Sequence, residues 1–94
     1  MITSTFDMPS SQQAAQPILV ALDSLPKSTR AEVVELPLGR GALHRLAELG
    51  IFVGSILHIE RSAPLGGPVL VNVRGTLVAL GRGLARRVQV RVLP

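Results

Sequence analysis

The sequence contains no cysteine, tryptophan or tyrosine, and Phe6 and Phe52 are its only aromatic residues. Without cysteine the chain has no disulfide, no thiolate ligand for zinc and no cysteine nucleophile. No apolar run approaches the roughly 20 residues of a membrane-spanning helix, and the first residues lack the basic and apolar regions of a signal peptide. We therefore expect a soluble cytoplasmic protein whose core is aliphatic.

The apolar residues that are present make up 47% of a chain of 94 residues, which is enough for one small folded domain. They are unevenly distributed. Residues 1–17 are rich in Ser, Thr and Gln and show no apolar period, so we expect a flexible N-terminal tail. Apolar density rises abruptly at the end of this segment, and we place the domain at residues 18–94.

Acidic residues are absent from the last third of the chain. Residues 1–60 carry four basic and six acidic residues, a charge of −2, whereas residues 61–94 carry six arginines and no acid. One interpretation is that these arginines alternate outward on strands whose inner faces are apolar. The alternative is a nucleic-acid-binding small β-barrel that uses the Arg-rich C-terminal third, although such sites usually add aromatic stacking platforms.

Hydrophobic periodicity predicts mainly β-structure. Residues 18–25 form an entry strand or an extended lead, and residues 29–36, with two adjacent valines, a strand. After Gly54 an apolar residue recurs at every second position over short segments, as in Val69, Val71 and Val73, separated by glycine-rich connections at 65–67 and 81–83 that we interpret as hairpin turns. Residues 41–50 have helical spacing instead, and Gly50 is placed to end the helix. The fold class that follows is all-β: an SH3-like, five-stranded antiparallel barrel with one short α-helix.

Three motifs resemble the ferrous iron transport protein A (FeoA) family. They are Arg45-Leu-Ala-Glu-Leu-Gly-Ile-Phe-Val-Gly54, Arg61-Ser-Ala-Pro-Leu-Gly-Gly-Pro68 and Val73-Arg-Gly75, within a resemblance that covers about residues 22–92. The resemblance implies an SH3-like accessory protein of ferrous iron uptake. Its partner would be the membrane permease FeoB, whose GTP-hydrolysing domain is cytoplasmic, and it would reach the membrane only through that permease.

Candidate residues for chemistry are few. Neither His44 nor His58 has a serine at a recognisable catalytic spacing, so we expect no enzyme, no cofactor and no small-molecule substrate. The family name suggests an iron site, and transition-metal binding is a term attached to the family. Fe(II) requires converging His and carboxylate ligands, and His44 with Glu48 is the single candidate pair, so we expect no metal site.

Apolar residues on the outward-facing positions of strands are the more informative feature. Together with nearby arginines and an apolar turn they form a hypothetical partner-binding patch, which would dock a protein without chemistry. Its members are Ile56, Arg61, Leu65, Gly66, Leu70, Arg74 and Leu77. The alternatives are that isolated exposed apolar residues are ordinary and that Leu77 packs beneath the tail. A homo-oligomer is also compatible with such a patch.

Overall fold

The computed structural model describes residues 18–94, and the predicted tail at residues 1–17 lies outside the described residues. Strands are the most abundant regular elements of this region, because β-branched and leucine residues alternate with polar ones along short segments. The strands are β1 (Leu19–Ala21), β2 (Ala31–Glu35), β3 (Ile56–Ser62), β4 (Val69–Val73), β5 (Thr76–Leu80) and β6 (Gln89–Val92). Two short helices, α1 (Arg40–Glu48) and α2 (Arg82–Arg86), and a 3-10 turn at Leu22–Ser24 complete the described elements.

All strand pairs are antiparallel, and the sheet has the order β1-β6-β2-β3-β4-β5. Consecutive strands β3, β4 and β5 form a meander. The C-terminal strand β6 is inserted between β1 and β2. The first and last strands of the domain are therefore neighbours at one edge of the sheet. The meander forms the other half of the sheet and joins the first half through the pairing of β2 with β3.

The core is aliphatic, as predicted. Leu57 and Ile59 of β3 and Val69, Val71 and Val73 of β4 are buried, while the residues between them face outward. The predicted alternation is therefore confirmed for both strands. The small, mostly antiparallel, SH3-like fold class is confirmed as well.

Helix α1 begins one residue before the predicted segment and ends at Glu48. Gly50 has a φ of +81°, the left-handed conformation that ends a helix, as its position in the sequence indicated. The helical spacing of residues 41–50 predicts one apolar face of Leu43, Leu46, Ala47 and Leu49. The observed face is narrower, because Leu46 is fully buried and Leu49 packs against the core, whereas Leu43 and Ala47 are exposed. The helix therefore contacts the core mainly through Leu46, with Leu49 packing just beyond its end.

Two details of the predicted barrel were wrong. There are six strands because the leading segment after Pro17 contains a true strand, β1, which pairs with β6. There are two α-helices because Gly81-Arg-Gly83 is not a hairpin turn: it leads into α2, whose Ala85 is fully buried. The physical reason is topological. Strands β5 and β6 are not neighbours in the sheet, so the chain must cross between them and cannot turn back in place.

Candidate docking surface

A β-bulge in strand β3 shapes the outer face of the meander. Ile59 pairs with Val71, but the next residue of β4, Leu70, pairs with Arg61, so Glu60 and Arg61 together oppose one position. By simple alternation Arg61 would follow Leu57 and Ile59 into the core. The extra residue shifts the alternation of side chains in β3 by one position, so the Arg61 side chain lies on the exposed face beside Leu70.

The β4–β5 hairpin places further apolar side chains on the same face. Leu70 pairs with Ala79 and Asn72 pairs with Leu77, while the inward positions of these strands carry Val71 and Leu80. Leu70 is partly buried, and Leu77 is 53% exposed. The outer face of the meander therefore presents apolar surface that the core does not use.

Two shallow hollows lie next to one another on this face. The larger, of about 350 Å³, is lined by Ser62, Ala63, Pro64, Pro68 and Ala79 together with Arg61 and Leu70. The smaller, of about 260 Å³, is lined by Lys27, Glu60 and Leu77, again with Arg61 and Leu70. Arg61 and Leu70 line both hollows and thus form the ridge between them. Apart from Arg61 the larger hollow has no charged residue in its lining, whereas the smaller also has Lys27 and Glu60.

The loop Ala63–Pro68 borders the larger hollow and carries Leu65 on its tip. Gly67 N–H donates to the carbonyl of Pro64 (3.2 Å), and the two residues between them, Leu65 and Gly66, have φ values of +59° and +76°. Positive φ at both central positions is typical of a type I′ turn, where Asn and Gly are the usual residues. The prediction that hairpin-like turn geometry accounts for these glycines is confirmed. The Leu65 side chain is fully exposed.

A polar cluster lies on the same face, one row further along the strands. His58 Nε2 is 2.8 Å from Glu60 Oε2, and Asn72 Nδ2 donates to the same oxygen at 3.1 Å. The hydrogen bond with His58, then that from Asn72, lower the pKa of Glu60 below its ordinary value, and the charge of Lys27 adds to this effect. Glu60 is therefore an ionised carboxylate that is already hydrogen-bonded within the domain, and the basic residues Lys27 and Arg61 line the same hollow.

The structure brings some of the predicted patch residues together and leaves others apart. Arg61, Leu70 and Leu77 line the hollows, and Leu65 and Gly66 lie in the loop whose base lines the larger one. Ile56 is half-buried beside Glu32 of β2, and Arg74 lies in the turn after β4. Four residues along a strand span roughly 13 Å, so Arg74 is remote from Leu70, with the His58–Glu60–Asn72 cluster between them.

Several residues around the hollows were missed by sequence reasoning. Ala79 was identifiable from the hairpin, because a two-residue turn at Arg74-Gly75 places it opposite Leu70. Lys27, Pro64 and Pro68 gave no signal, since their positions depend on how separate loops pack. Arg82, which bonds to the loop at Ala63–Pro68, also gave no signal.

The arginines of the C-terminal third are distributed between internal and surface roles. Arg82 donates to backbone carbonyls, Arg86 Nε lies 3.9 Å from Asp23 Oδ2, and Arg91 forms an ion pair with Glu32. Within residues 18–94, no acidic side chain lies within 4 Å of the other three, which are Arg61, Arg74 and Arg87. Three of the six arginines that suggested a nucleic-acid footprint thus have contacts within the domain.

The candidate metal-binding pair is an exposed contact on helix α1. His44 Nε2 and Glu48 Oε2 are 3.2 Å apart, at the i,i+4 spacing of neighbours on a helix surface. In the part of the chain that the structure describes, no three side chains of His, Asp or Glu converge on one point. The side chains of residues 18–94 therefore do not form a three-ligand iron centre. No helix between residues 18 and 94 has both the length and the apolar character needed to cross a membrane.

Comparisons with known proteins agree with this architecture. The FeoA domain model matches residues 20–92. A curated protein of Methanocaldococcus jannaschii, which carries the name Fe(2+) transport protein A, is 40% identical over 58 residues, covering 62% of this chain and 68% of its own. The crystal structure of an iron uptake regulatory protein (FeoA) has a TM-score of 0.75 and 33% identity, covering 81% of this chain and 100% of the other. The solution structure of FeoA from Chlorobium tepidum has a TM-score of 0.73 and 35% identity, covering 80% and 71%. The chain therefore belongs to the FeoA domain family.

Proposed function

We propose that this protein is a cytoplasmic accessory or regulatory protein of ferrous iron uptake, and that it acts by docking on the cytoplasmic part of the ferrous iron permease FeoB. Membership of the FeoA domain family supports involvement in ferrous iron transport. The observation that supports docking is the apolar hollow of about 350 Å³ on the outer face of the meander, bordered by a fully exposed leucine.

The chemistry of this face favours a protein partner. The hollow offers apolar walls, and the core does not depend on it, so a partner side chain that enters it gains burial at little cost to the fold. Arg61 lines this hollow and Lys27 lines the smaller hollow beside it, so the two form a basic rim, while the nearby acid Glu60 is already hydrogen-bonded to His58 and Asn72. The rim therefore complements an acidic surface, which would orient the apolar contact.

The proposal is tested by measuring binding of the full chain to the purified cytoplasmic part of the permease. Leu70→Glu places a charge on the ridge between the hollows, and Leu65→Asp replaces the apolar tip of the loop. We expect each to weaken binding by about 30-fold or more, the effect of removing an interface anchor, while the circular dichroism spectrum of the folded domain is unchanged.

Leu38→Glu is the matched control, because Leu38 is 94% exposed and precedes helix α1, outside the lining of both hollows. It should bind as the wild-type chain does. Unchanged binding by both Leu70→Glu and Leu65→Asp would eliminate the proposed surface. Retention of RNA or DNA on filters, with affinity falling steeply as salt rises, would instead favour the nucleic-acid alternative.

A further inference from the structure

The loop Ala63–Pro68 holds a leucine in a backbone conformation that leucine disfavours. Left-handed backbone is strained for an L-residue because its Cβ crowds the following carbonyl oxygen, and the usual residues at this turn position tolerate it better. Leu65 nevertheless has a φ of +59° and is 102% exposed, so no packing of its side chain offsets the strain. Something other than burial must keep the loop in this shape.

The loop's own backbone supplies only part of the support. Ala63 N–H donates to the carbonyl of Pro68 (2.9 Å), which closes the loop, and Gly67 N–H donates to Pro64, which closes the tip. A Cβ on Gly67 would lie 2.8 Å from the Cβ of Ala63, so the two arms of the loop are in close contact. The remaining carbonyls at its base, those of Ala63 and Gly67, find a partner from elsewhere in the chain.

That partner is Arg82, the first residue of helix α2. Its Nε donates to the carbonyl of Gly67 and its Nη2 to the carbonyl of Ala63, both at 3.1 Å. The two hydrogen bonds use separate nitrogens of one planar guanidinium group, and they tie together positions on opposite arms of the loop. A lysine ammonium is a single point charge on a flexible stem and does not reproduce this fork.

We propose that Arg82 is a positioning residue for docking: it fixes the loop so that Leu65 is presented to the partner in one orientation. The inference rests on the proposed function, because it assigns Arg82 a role through Leu65. The loop contributes no side chain to the buried core, so a part-buried charged fork that braces it serves the loop's shape. A preordered loop loses less conformational freedom on binding, which strengthens the complex.

The test is a double-mutant cycle on binding to the cytoplasmic part of the permease, with Leu65→Ala, Arg82→Lys and the combined variant. We expect Leu65→Ala to weaken binding by about 20-fold and Arg82→Lys by about fivefold, magnitudes within the range of interface truncations. The combined variant should bind about 20-fold more weakly than the wild-type chain, as Leu65→Ala alone does. Once the leucine side chain is removed, Arg82 no longer has a side chain to position.

A purely structural role for Arg82 predicts a different result. Its effect would then multiply that of Leu65→Ala, so the combined variant would be weakened about 100-fold, the product expected of independent sites. That result, or an Arg82→Lys variant that binds as wild type, would overturn the inference while leaving the docking surface intact. Failure of the proposed function itself is distinguishable, because the wild-type chain would then not bind the permease fragment at all.

Amide hydrogen exchange of the isolated protein supplies a second readout that needs no partner. Arg82→Lys should increase exchange at the N–H groups of Ala63 and Gly67, which are hydrogen-bonded inside the loop. Arg86→Lys is the matched control on the same helix, because the contact of Arg86 is with Asp23, near the 3-10 turn. Unchanged exchange at Ala63 and Gly67 in the Arg82→Lys variant would contradict the proposed tie.

Discussion

Strand β4 lies between two turns of similar backbone conformation, and the comparison shows how differently the same geometry can be supported. Leu65-Gly66 precedes the strand and Arg74-Gly75 follows it, and all four residues have positive φ. The Arg74-Gly75 turn joins β4 directly to β5, with Val73 paired to Thr76. The Leu65-Gly66 turn lies at the tip of a loop that is outside the sheet's pairing.

The difference lies in what holds each turn. At Arg74-Gly75 the paired strands impose the turn, and the neighbouring Asn72 Oδ1 accepts the Gly75 N–H at 2.8 Å. At Leu65-Gly66 the support comes from Arg82, which is at least 15 residues away in sequence. We infer that the first turn is coupled to the stability of the domain, whereas the second is coupled mainly to the direction of one exposed side chain.

The largest expected effect on stability comes from the glycine of the hairpin. Gly75→Ala should lower the free energy of unfolding by about 1–2 kcal/mol, the cost of left-handed backbone for a residue with a Cβ. Gly66→Ala should cost less than about 1 kcal/mol, because distortion of this turn breaks no hydrogen bond of the sheet, whereas distortion at Gly75 disturbs the β4–β5 pairing. Urea unfolding of both variants gives the comparison, and an equal or greater loss for Gly66→Ala would refute it.

Removing the side chain that caps the hairpin should have the next largest effect. Asn72→Ala removes the acceptor for the Gly75 N–H and the donor to Glu60. We expect a loss of about 1 kcal/mol, the typical net value of such hydrogen bonds, measured by the shift of the urea midpoint. A midpoint equal to that of the wild-type chain would show that the strand pairing alone maintains this turn.

Leu65→Gly separates strain from docking at the other turn. Glycine relieves the cost of positive φ but increases the freedom of the unfolded chain, so the free energy of unfolding should stay within about 1 kcal/mol of wild type. Binding to the permease fragment should nevertheless fall, since the apolar tip is gone. A large loss of stability in thermal unfolding would mean that the Leu65 side chain supports the fold.

The smallest effect is expected at the polar cluster between the two turns. The pKa of Glu60 is lower in the folded chain than its ordinary value, mainly through the hydrogen bond with His58. The ionised carboxylate therefore stabilises the fold above pH about 4.3, the ordinary value, and this contribution is lost as the pH falls through the lower folded value. The contribution is modest because the group is partly exposed to solvent.

Glu60→Gln is the variant that measures this contribution. It should be slightly less stable than the wild-type chain at neutral pH, and the difference should shrink as the pH is lowered below about 4.3. Unfolding followed over that pH range checks the sign. A difference between the two proteins that grows on acidification would contradict the assigned direction of the Glu60 pKa shift.

Local patterns predicted the parts of the structure that local interactions govern. The alternation of Val69, Val71 and Val73 identified the buried face of β4, because successive side chains of a strand point to opposite sides. Gly50 identified the end of helix α1 for an equally local reason, since it adopts positive φ without a Cβ clash. Leu70 and Leu77 followed as outward-facing residues from the same alternation.

Other features depended on contacts between residues that are distant in sequence. Arg61 was predicted in the exposed patch, although strict alternation would point it inward with Leu57 and Ile59, and the bulge opposite Leu70 is what turns it outward. Gly81-Arg-Gly83 looked like a hairpin turn, but the insertion of β6 between β1 and β2 requires a crossing, and α2 starts there instead.

The order of residues was thus sufficient for the aliphatic core, the small β fold, the turn at residues 65–67 and the helix end at Gly50, since each rests on backbone sterics or on the period of a single strand. The tertiary structure decided which exposed residues share a surface. It separated Ile56 and Arg74 from the hollows, placed Lys27 beside Leu77 and brought Arg82 to the Leu65 loop. These relations arise from strand register and from packing between loops, which no window of neighbouring residues contains.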